Sequence, residues 1–200
     1  AGTHDLLELA ASGGAPPEPV VPDPSDVAVL TYTSGTTGPP KGAMNTHGNI
    51  AYASRVYRDL LGIGADDVVL GIAPLYHVTG LTAHIGLSLA TGAPILLAHR
   101  FDPVRAAELI ERHGATVTVA AITAYMAIAG NEEAAAHDLS SLRRAFSGGA
   151  PIAPAVVEGI RERTGLVVRP VYGLTETTGP THVALPDVET PVDPATGALA

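Results

Sequence analysis

The sequence predicts an α/β fold, a mostly parallel β-sheet with helices on both faces. Three observations carry this prediction. Runs rich in Val, Ile and Leu recur along the 200 residues, which is typical of parallel strands that are buried on both faces. Segments with helical periodicity lie between successive runs, which favours strand–helix–strand units. Glycine and proline stand at several junctions, where they end or begin helices.

The chain is expected to begin with a small unit, residues 1–24, that precedes the sheet. Its letters DLLELA (5–10) predict a short helix. The following GGAPPEPVVPDP (13–24) is rich in proline, which fixes φ and lacks a backbone N–H, so an irregular connector is predicted there. Residues 25–200 are predicted to form one α/β unit, because strands and helices alternate from that point without an internal repeat.

The amino-acid sequence of this unit predicts its strands and helices. VAVLTYT (27–33) and the later β-branched runs predict strands, and all of them are expected to join one sheet. The clearest helix is PVRAAELIERHG (103–114), because Pro103 stands in its first turn and Gly114 at its end. In chain order the prediction is strand 27–33, helix 49–61, strand 67–73, helix 81–90, strand 93–98, helix 103–114, strand 116–122, helix 124–130, strand 142–147, helix 153–165 and strand 167–173.

Composition argues against several classes of protein. Hydrophobic residues make up 46% and charged residues 16% of the chain, which is typical of a globular domain. The net charge of −9 argues against a nucleic-acid partner, because phosphate backbones select basic surfaces. The longest apolar stretch is short and interrupted by threonine, so no integral membrane segment is expected. The chain has no cysteine and no signal-peptide pattern, and we therefore expect a cytoplasmic location.

The stretch LTYTSGTTGPPKGAM (30–44) is the first chemically marked loop, and it holds the only lysine of the chain, Lys41. Backbone N–H groups of a glycine-rich turn form a concavity that binds anions. Hydroxyl groups of Ser34, Thr36 and Thr37 add donors, and an ammonium group suits phosphate. The stretch lacks the Gly-Lys-Ser/Thr ending of a Walker A loop. A flexible surface turn is the alternative, and the strand before the loop and the Pro-Pro-Lys-Gly tail argue against it.

Two further loops follow predicted strands, and ligands of such sheets bind at the carboxyl ends of the strands. In VYGLTETTGP (171–180), Tyr172 offers a ring for stacking on a base, and Glu176 offers a carboxylate for Mg²⁺. Taken alone, a glutamate such as Glu176 is more often an exposed loop carboxylate than a metal ligand. Taken alone, a segment such as FSGGAPI (146–152) is more often a plain strand-to-helix turn than a ligand-binding loop. Together with the lysine loop, they predict three marked loops at one edge of one sheet.

Other catalytic patterns are absent from the sequence. There is no Gly-x-Ser-x-Gly elbow, no Gly-x-Gly-x-x-Gly fingerprint after a strand, and no His-Glu-x-x-His arrangement. His77 and His84 are seven residues apart, but no third ligand accompanies them, so a metal site there is disfavoured. His47, His99, His113 and His182 are interpreted as surface or capping residues.

In this order the motifs resemble those of the adenylate-forming superfamily, which includes acyl-CoA synthetases, aryl-CoA ligases, luciferases and the adenylation domains of peptide synthetases. The resemblance covers nearly the whole chain, and its first and last motifs are highly specific. It implies that the sheet is part of the layered large domain of acyl-CoA synthetase-like enzymes. The residues that carry it are YTSGTTGPPKG (32–42), PLYHVTG (74–80), SGGAPI (147–152) and YGLTET (172–177).

The resemblance assigns roles residue by residue. It implies catalytic roles for Lys41, Thr175, Glu176 and His77: Thr175 contacts the α-phosphate, Glu176 binds Mg²⁺, and His77 stands beside the reacting carboxylate. The residues implied to hold ATP are Thr33, Ser34, Gly35, Thr36, Thr37, Gly38 and Lys41 around the phosphates, Gly148, Gly149 and Ala150 along the adenine, Tyr172 stacked on it, Thr175 at the α-phosphate, and Gly173 in the same loop.

The implied reaction joins a carboxylic acid to ATP, giving acyl-AMP and pyrophosphate, and then transfers the acyl group to a thiol, normally coenzyme A. The implied cofactors are therefore ATP, Mg²⁺ and coenzyme A. Residues 73–94 contain no acidic side chain to pair with a substrate ammonium, so a fatty acid is the first expectation and an aryl acid the second. A non-catalytic nucleotide-binding module is the alternative from another class.

The resemblance also implies parts that these residues do not include. Family members continue to an Asp that binds the ribose, a hinge, and a small C-terminal domain with a catalytic Lys, and they have a further N-terminal part. We therefore expect the 200 residues to be a segment of the large domain that is inactive by itself. A surface left open by the absent part would favour self-association, and a homo-oligomer is compatible with the sequence.

Overall fold

The fold is built on two β-sheets, seen in a computed structural model that describes residues 5–16, 18–34, 38–186 and 188–199. Strands in the described parts are β1 (Val27–Thr33), β2 (Lys41–Thr46), β3 (Val69–Gly71), β4 (Ile95–Leu97), β5 (Val117–Ala120), β6 (Arg144–Ser147), β7 (Val168–Leu174) and β8 (Gly179–Val183). Helices there are α1 (Leu6–Ala11), α2 (His47–Leu61), α3 (Leu87–Thr91), α4 (Pro103–His113), α5 (Ile122–Gly130), α6 (Glu132–Ala135) and α7 (Pro154–Thr164).

The larger sheet has six strands in the order β4-β3-β5-β6-β7-β8. Its pairs are parallel except for the last, β7 with β8, which is antiparallel. The predicted α/β class with a mostly parallel sheet is thus confirmed. Most predicted strands lie within two to three residues of the observed ones; the predicted strand 116–122 ends early, because helix α5 already begins at Ile122.

Helices cover both faces of this sheet, because neighbouring residues of each strand enter different apolar clusters. Val69, Val117 and Phe146 belong to the cluster that includes Tyr57 of α2 and Leu87 of α3. On the other face the cluster consists chiefly of residues from α4, α5 and α7 with alternate strand residues: Leu70, Ala106, Ile110, Ala120, Tyr125, Ala145 and Ile160.

The prediction that strand 27–33 joins the main sheet is wrong. β1 instead pairs antiparallel with β2 in a separate two-stranded sheet, with Thr33 opposite Lys41. The burial of β1 explains the difference: Leu30 is 54% and Tyr32 69% exposed, whereas strands inside a parallel sheet are buried on both faces. β2 was not predicted, because its letters KGAMNT contain neither a β-branched run nor an alternating pattern.

The predicted helix 81–90 consists of two parts, a π-helical segment from Gly80 to Gly86 and then α3. Both glycines lie where another chain segment approaches closely. A Cβ at Gly80 would overlap the carbonyl oxygen of Pro74, and a Cβ at Gly86 would overlap the hydroxyl of Ser54. The wider π-type turn therefore carries small residues at both ends. No helix of the described ranges has the length and apolar character needed to cross a bilayer.

An ion cluster joins the start of β3 to β6 and gives a testable prediction. The Asp67 carboxylate is 7% exposed and accepts hydrogen bonds from the Thr116 hydroxyl (2.8 Å), Arg144 (2.8 Å), Arg143 (3.2 Å) and the Gly64 N–H (3.0 Å). Burial alone would raise the pKa of Asp67, but the hydrogen bonds from Gly64 and Thr116 and the charges of the two arginines outweigh it and lower that pKa.

We expect Asp67→Asn to lower the free energy of unfolding at neutral pH by about 1–3 kcal/mol, because Arg144 loses its charged partner. A carboxyl group with a lowered folded pKa stabilises the fold above its unfolded pKa of about 4, and this contribution is lost as pH falls through the folded value. Denaturant unfolding at neutral and acidic pH should therefore show the deficit shrinking in acid. Asp66→Asn is the matched control, since Asp66 is exposed. A deficit independent of pH would contradict the charge argument.

Candidate active site

A cavity of about 1150 Å³ lies where the strands of the larger sheet end. Its walls follow the carboxyl ends of β3, β5, β6 and β7, the edge at which α/β sheets bind ligands. Residues of the β1–β2 hairpin also line it. The sequence-predicted residues that line it are Thr33, Ser34, Lys41, His77, Gly148, Gly149, Gly173, Thr175 and Glu176.

The three marked loops meet at this cavity, although they do not come from one sheet as predicted. The loops after β6 and β7 belong to the larger sheet, whereas residues 34–40 connect the strands of the hairpin. Asn45 of β2 holds the hairpin in place. Its side-chain amide donates to the Thr175 carbonyl oxygen (3.0 Å) and to the Thr178 hydroxyl (2.7 Å). Asn45 is 1% exposed, so this link is shielded from water.

Glu176 stands on a tight turn with a free carboxylate. The turn is a 3₁₀ segment, Thr175–Thr177, held by the Thr177 hydroxyl, which donates to the Gly179 carbonyl oxygen (2.9 Å) and accepts the Leu174 N–H (3.0 Å). The carboxylate of Glu176 is exposed, and its contact is a long hydrogen bond of 3.5 Å from the Thr33 hydroxyl. Among the described residues no basic side chain forms an ion pair with it, so its oxygens are available to a cation.

Lys41 lies at the start of β2, directly opposite Thr33. It lines the cavity and is exposed, and within the described ranges no carboxylate pairs with it. The hairpin therefore presents an ammonium group and a hydroxyl group side by side, with the carboxylate of Glu176 across from them. This combination can bind a phosphate chain together with its metal ion.

His77 and His84 occupy opposite environments. His77 is exposed at the cavity, and its Nδ1 accepts the Thr79 N–H (3.1 Å), which leaves Nε2 as the N–H donor of the neutral ring. His84 is completely buried, and burial lowers its pKa to about 4, with a partial opposing effect of the Val119 backbone. Among the described residues, no group forms a hydrogen bond with either ring nitrogen of His84. No cluster of three metal-ligating side chains occurs in the described part of the chain.

A second cavity of about 780 Å³ adjoins the first. Gly149, Val171, Gly173 and Leu174 line both cavities and form the wall between them. The sequence-predicted residues that line the second cavity are Gly149, Ala150, Tyr172 and Gly173.

His182, which was interpreted as a surface or capping residue, is exposed and also lines the second cavity. It lies directly opposite Tyr172 in the antiparallel β7–β8 pair, with ring centroids 6.0 Å apart and ring planes at 50°. Its position follows from the register of β8, a strand that was not predicted. Asn45 was missed for the same reason, because it lies on the unpredicted strand β2. Both residues would have been found if the short segments KGAMNT and GPTHV had been predicted to pair as hairpin strands with β1 and β7.

Most of the predicted site residues are therefore brought together. Gly38 is described, with a φ of 103°, but does not line either cavity. The predictions for Gly35, Thr36 and Thr37 lie outside the described residues.

The cavity with Lys41 and Glu176 and the adjoining cavity beside Tyr172 lie at the carboxyl edge of the sheet, where α/β proteins bind their ligands. The chain belongs to the AMP-binding enzyme family, whose model matches residues 3–200. This confirms the resemblance to adenylate-forming enzymes.

Three relatives show how far the similarity extends. The chain is 37% identical over 159 residues to 4-coumarate–CoA ligase 1 of Oryza sativa subsp. japonica, with 77% of this chain and 28% of that protein covered. It is 36% identical over 167 residues to the long-chain-fatty-acid–CoA ligase of Bacillus subtilis (strain 168), with 82% and 30% covered. The structure of ATP-bound MatB from Rhodopseudomonas palustris superposes with a TM-score of 0.79 at 29% identity, covering 92% of this chain and 36% of that one.

The chain thus spans about a third of the length of the proteins it matches. The two ligases act on different kinds of acid, an aryl acid and a fatty acid. Similarity alone therefore leaves the class of substrate open.

Proposed function

We propose that the protein containing this chain uses ATP to activate a carboxylic acid as an acyl adenylate and then transfers the acyl group to coenzyme A. The observation that carries the proposal is the pair of adjoining cavities. One is lined by Lys41, His77, Thr175 and Glu176, and the other by Tyr172. A nucleotide that extends from one cavity into the other would have its base in the second cavity and its phosphates in the first.

The proposed chemistry needs positioning and charge neutralisation rather than a protein nucleophile. A carboxylate oxygen of the substrate attacks the α-phosphorus of ATP, and the bond from that phosphorus to the bridging oxygen breaks, releasing pyrophosphate. Lys41 and the hydroxyls of Thr33 and Ser34 hold the leaving phosphates, and Thr175 contacts the α-phosphate. In the second step the thiolate sulfur of coenzyme A attacks the acyl carbonyl carbon, and AMP leaves with the electron pair.

Mg²⁺ fits the residues present, because Glu176 offers a free carboxylate at the cavity and Mg²⁺ commonly binds one or two carboxylates together with substrate phosphates. Glu176 would hold the ion, which when bound neutralises charge on the phosphate oxygens. His77 would orient the substrate carboxylate by donating from Nε2. A cytoplasmic location is part of the same proposal.

The acid is proposed to carry no ammonium group, a fatty acid being the first choice and an aryl acid the second. Glu176 is the only carboxylate among the described residues that line the larger cavity, and its proposed role is to hold the metal ion. A substrate ammonium group would thus be buried without an anionic partner, which is costly. The names of the two ligases, one of 4-coumarate and one of long-chain fatty acids, support both choices.

Pyrophosphate exchange into ATP, measured on the intact protein with a panel of fatty, aryl and amino acids, tests this function. Exchange that depends on a fatty or aryl acid supports it, and thioester formation with coenzyme A tests the second step. Exchange with no acid, despite ATP binding, would instead support a non-catalytic nucleotide-binding module.

Lys41→Ala is expected to slow exchange by about tenfold, mostly through weaker ATP binding, because a point charge on pyrophosphate is assisted by the backbone and hydroxyl donors of the same loop. Steady-state kinetics with varied ATP measure the effect. Lys41→Arg keeps the charge and should recover part of the loss. A loss larger than that of Glu176→Gln would contradict this ordering of roles.

A further inference from the structure

Tyr57 is a polar residue of the larger cavity that the proposed chemistry does not use. It lies on α2, is 3% exposed, and packs in the same apolar cluster as Val119 and Val171. All three side chains line the cavity. The hydroxyl of Tyr57 is therefore a polar group among apolar neighbours at the cavity wall.

Within the described ranges this hydroxyl has no hydrogen-bond partner. By contrast, Tyr125 is fully buried, and its hydroxyl donates to the Phe146 carbonyl oxygen at 2.8 Å. The hydroxyl oxygen of Tyr57 is not fully enclosed by protein, so it is accessible from the cavity and can donate to water or to a ligand there. Burial raises the pKa of Tyr57, so at physiological pH the phenol stays protonated and can donate.

We propose that the Tyr57 hydroxyl is a specificity-determining contact that selects acids whose chain or ring carries a neutral oxygen acceptor, such as a hydroxyl, ether or ketone oxygen. This inference rests on the proposed function and names its substrate class more closely. A neutral oxygen fits because Tyr57 carries no charge and its neighbours Val119 and Val171 are apolar. A substrate without this oxygen leaves the donor unpaired, and enzymes reject such analogues strongly.

The experiment compares pairs of acids that share a carbon skeleton and differ by one oxygen, for example para-hydroxycinnamate with cinnamate and ω-hydroxyalkanoates with alkanoates of equal length. In pyrophosphate exchange by the intact protein, we expect kcat/KM to favour the oxygenated member of at least one pair by roughly 10- to 100-fold. Tyr57→Phe should abolish that preference by slowing the oxygenated acid. Tyr52→Phe is the matched control, because Tyr52 lies on the same helix, is 67% exposed and does not line the cavity.

Thermal unfolding provides a second readout. Tyr57→Phe should unfold at about the same temperature as the parent, since the hydroxyl makes no hydrogen bond to the described residues. Unfolding several degrees lower would show that the hydroxyl has a structural partner and would overturn the proposal. Equal use of both members of every pair, or a preference that persists in Tyr57→Phe, would also overturn it while leaving acid activation intact. Exchange with no acid at all would overturn the proposed function itself, and this inference with it.

Discussion

Replacing Glu176 with Gln is expected to slow adenylation by a factor on the order of a hundred or more, while the fold remains intact. The amide keeps the size of the side chain but loses the negative charge that would hold Mg²⁺ against the phosphates. Because Glu176 is exposed and its contact is a long hydrogen bond from Thr33, little folding stability depends on it. The loss should therefore appear in catalysis and not in unfolding.

Pyrophosphate exchange at increasing Mg²⁺ concentration measures this effect, and the variant should need more Mg²⁺ for half-maximal rate. Glu133→Gln is the control, because Glu133 is an exposed carboxylate on α6, outside both cavities. Wild-type exchange by Glu176→Gln, with unchanged Mg²⁺ dependence, would refute the metal role. A large drop in the unfolding temperature of Glu176→Gln would instead show that Glu176 stabilises the fold.

The sequence was sufficient to predict those parts of the fold that have strong local signals. Runs rich in Val, Ile and Leu, such as those that contain β3 (DVVLGIA) and β4 (APILLA), are typical of strands in a parallel sheet. α4 could be bounded closely because Asp102 caps it, proline stands in its first turn and Gly114 ends it in a left-handed conformation. The marked loops were found because Gly, Thr and Lys at close spacing have few structural reasons to occur together.

The parts that were missed depend on contacts between distant segments. β2 has no apolar run, and it is held by pairing with β1 and by the Asn45 side chain bonded to Thr175 and Thr178. The six residues of β2 do not indicate that Asn45 bonds to Thr175, which lies about 130 residues away along the chain. Likewise, His182 becomes a cavity residue only through its register against Tyr172, and the role proposed for Tyr57 depends on which helix face the cavity meets.

The close approach of β7 and β8 leads to the second large expected effect, the loss of the active-site turn in Gly173→Ala. A Cβ at Gly173 would overlap the carbonyl oxygen of Gly179, and it would lie 2.7 Å from the Gly179 carbonyl carbon and 3.1 Å from the Cα of Pro180. These atoms are backbone, so no flexible side chain can move aside. They are also fixed by pairing, because Gly173 lies opposite Pro180 and Leu174 opposite Gly179.

The two strands must therefore separate in this variant, and the turn that carries Glu176 lies between them. We expect the free energy of unfolding to fall by about 3 kcal/mol or more, at the upper end of what overpacking costs. Exchange activity should fall even in the fraction that stays folded, because the turn is displaced from Thr33. Denaturant unfolding and exchange rates per folded molecule separate these two effects.

Gly159→Ala is the matched control for this substitution. Gly159 lies within α7, where an added Cβ meets no atom within 4 Å. Alanine in a helix interior is more favourable than glycine by about 0.5–1 kcal/mol, so this variant should be slightly more stable than the parent and equally active. If Gly173→Ala were as stable and active as Gly159→Ala, the spacing of β7 and β8 would not be what holds the turn. Its position would then have to depend on the hydrogen bonds that Asn45 donates to Thr175 and Thr178.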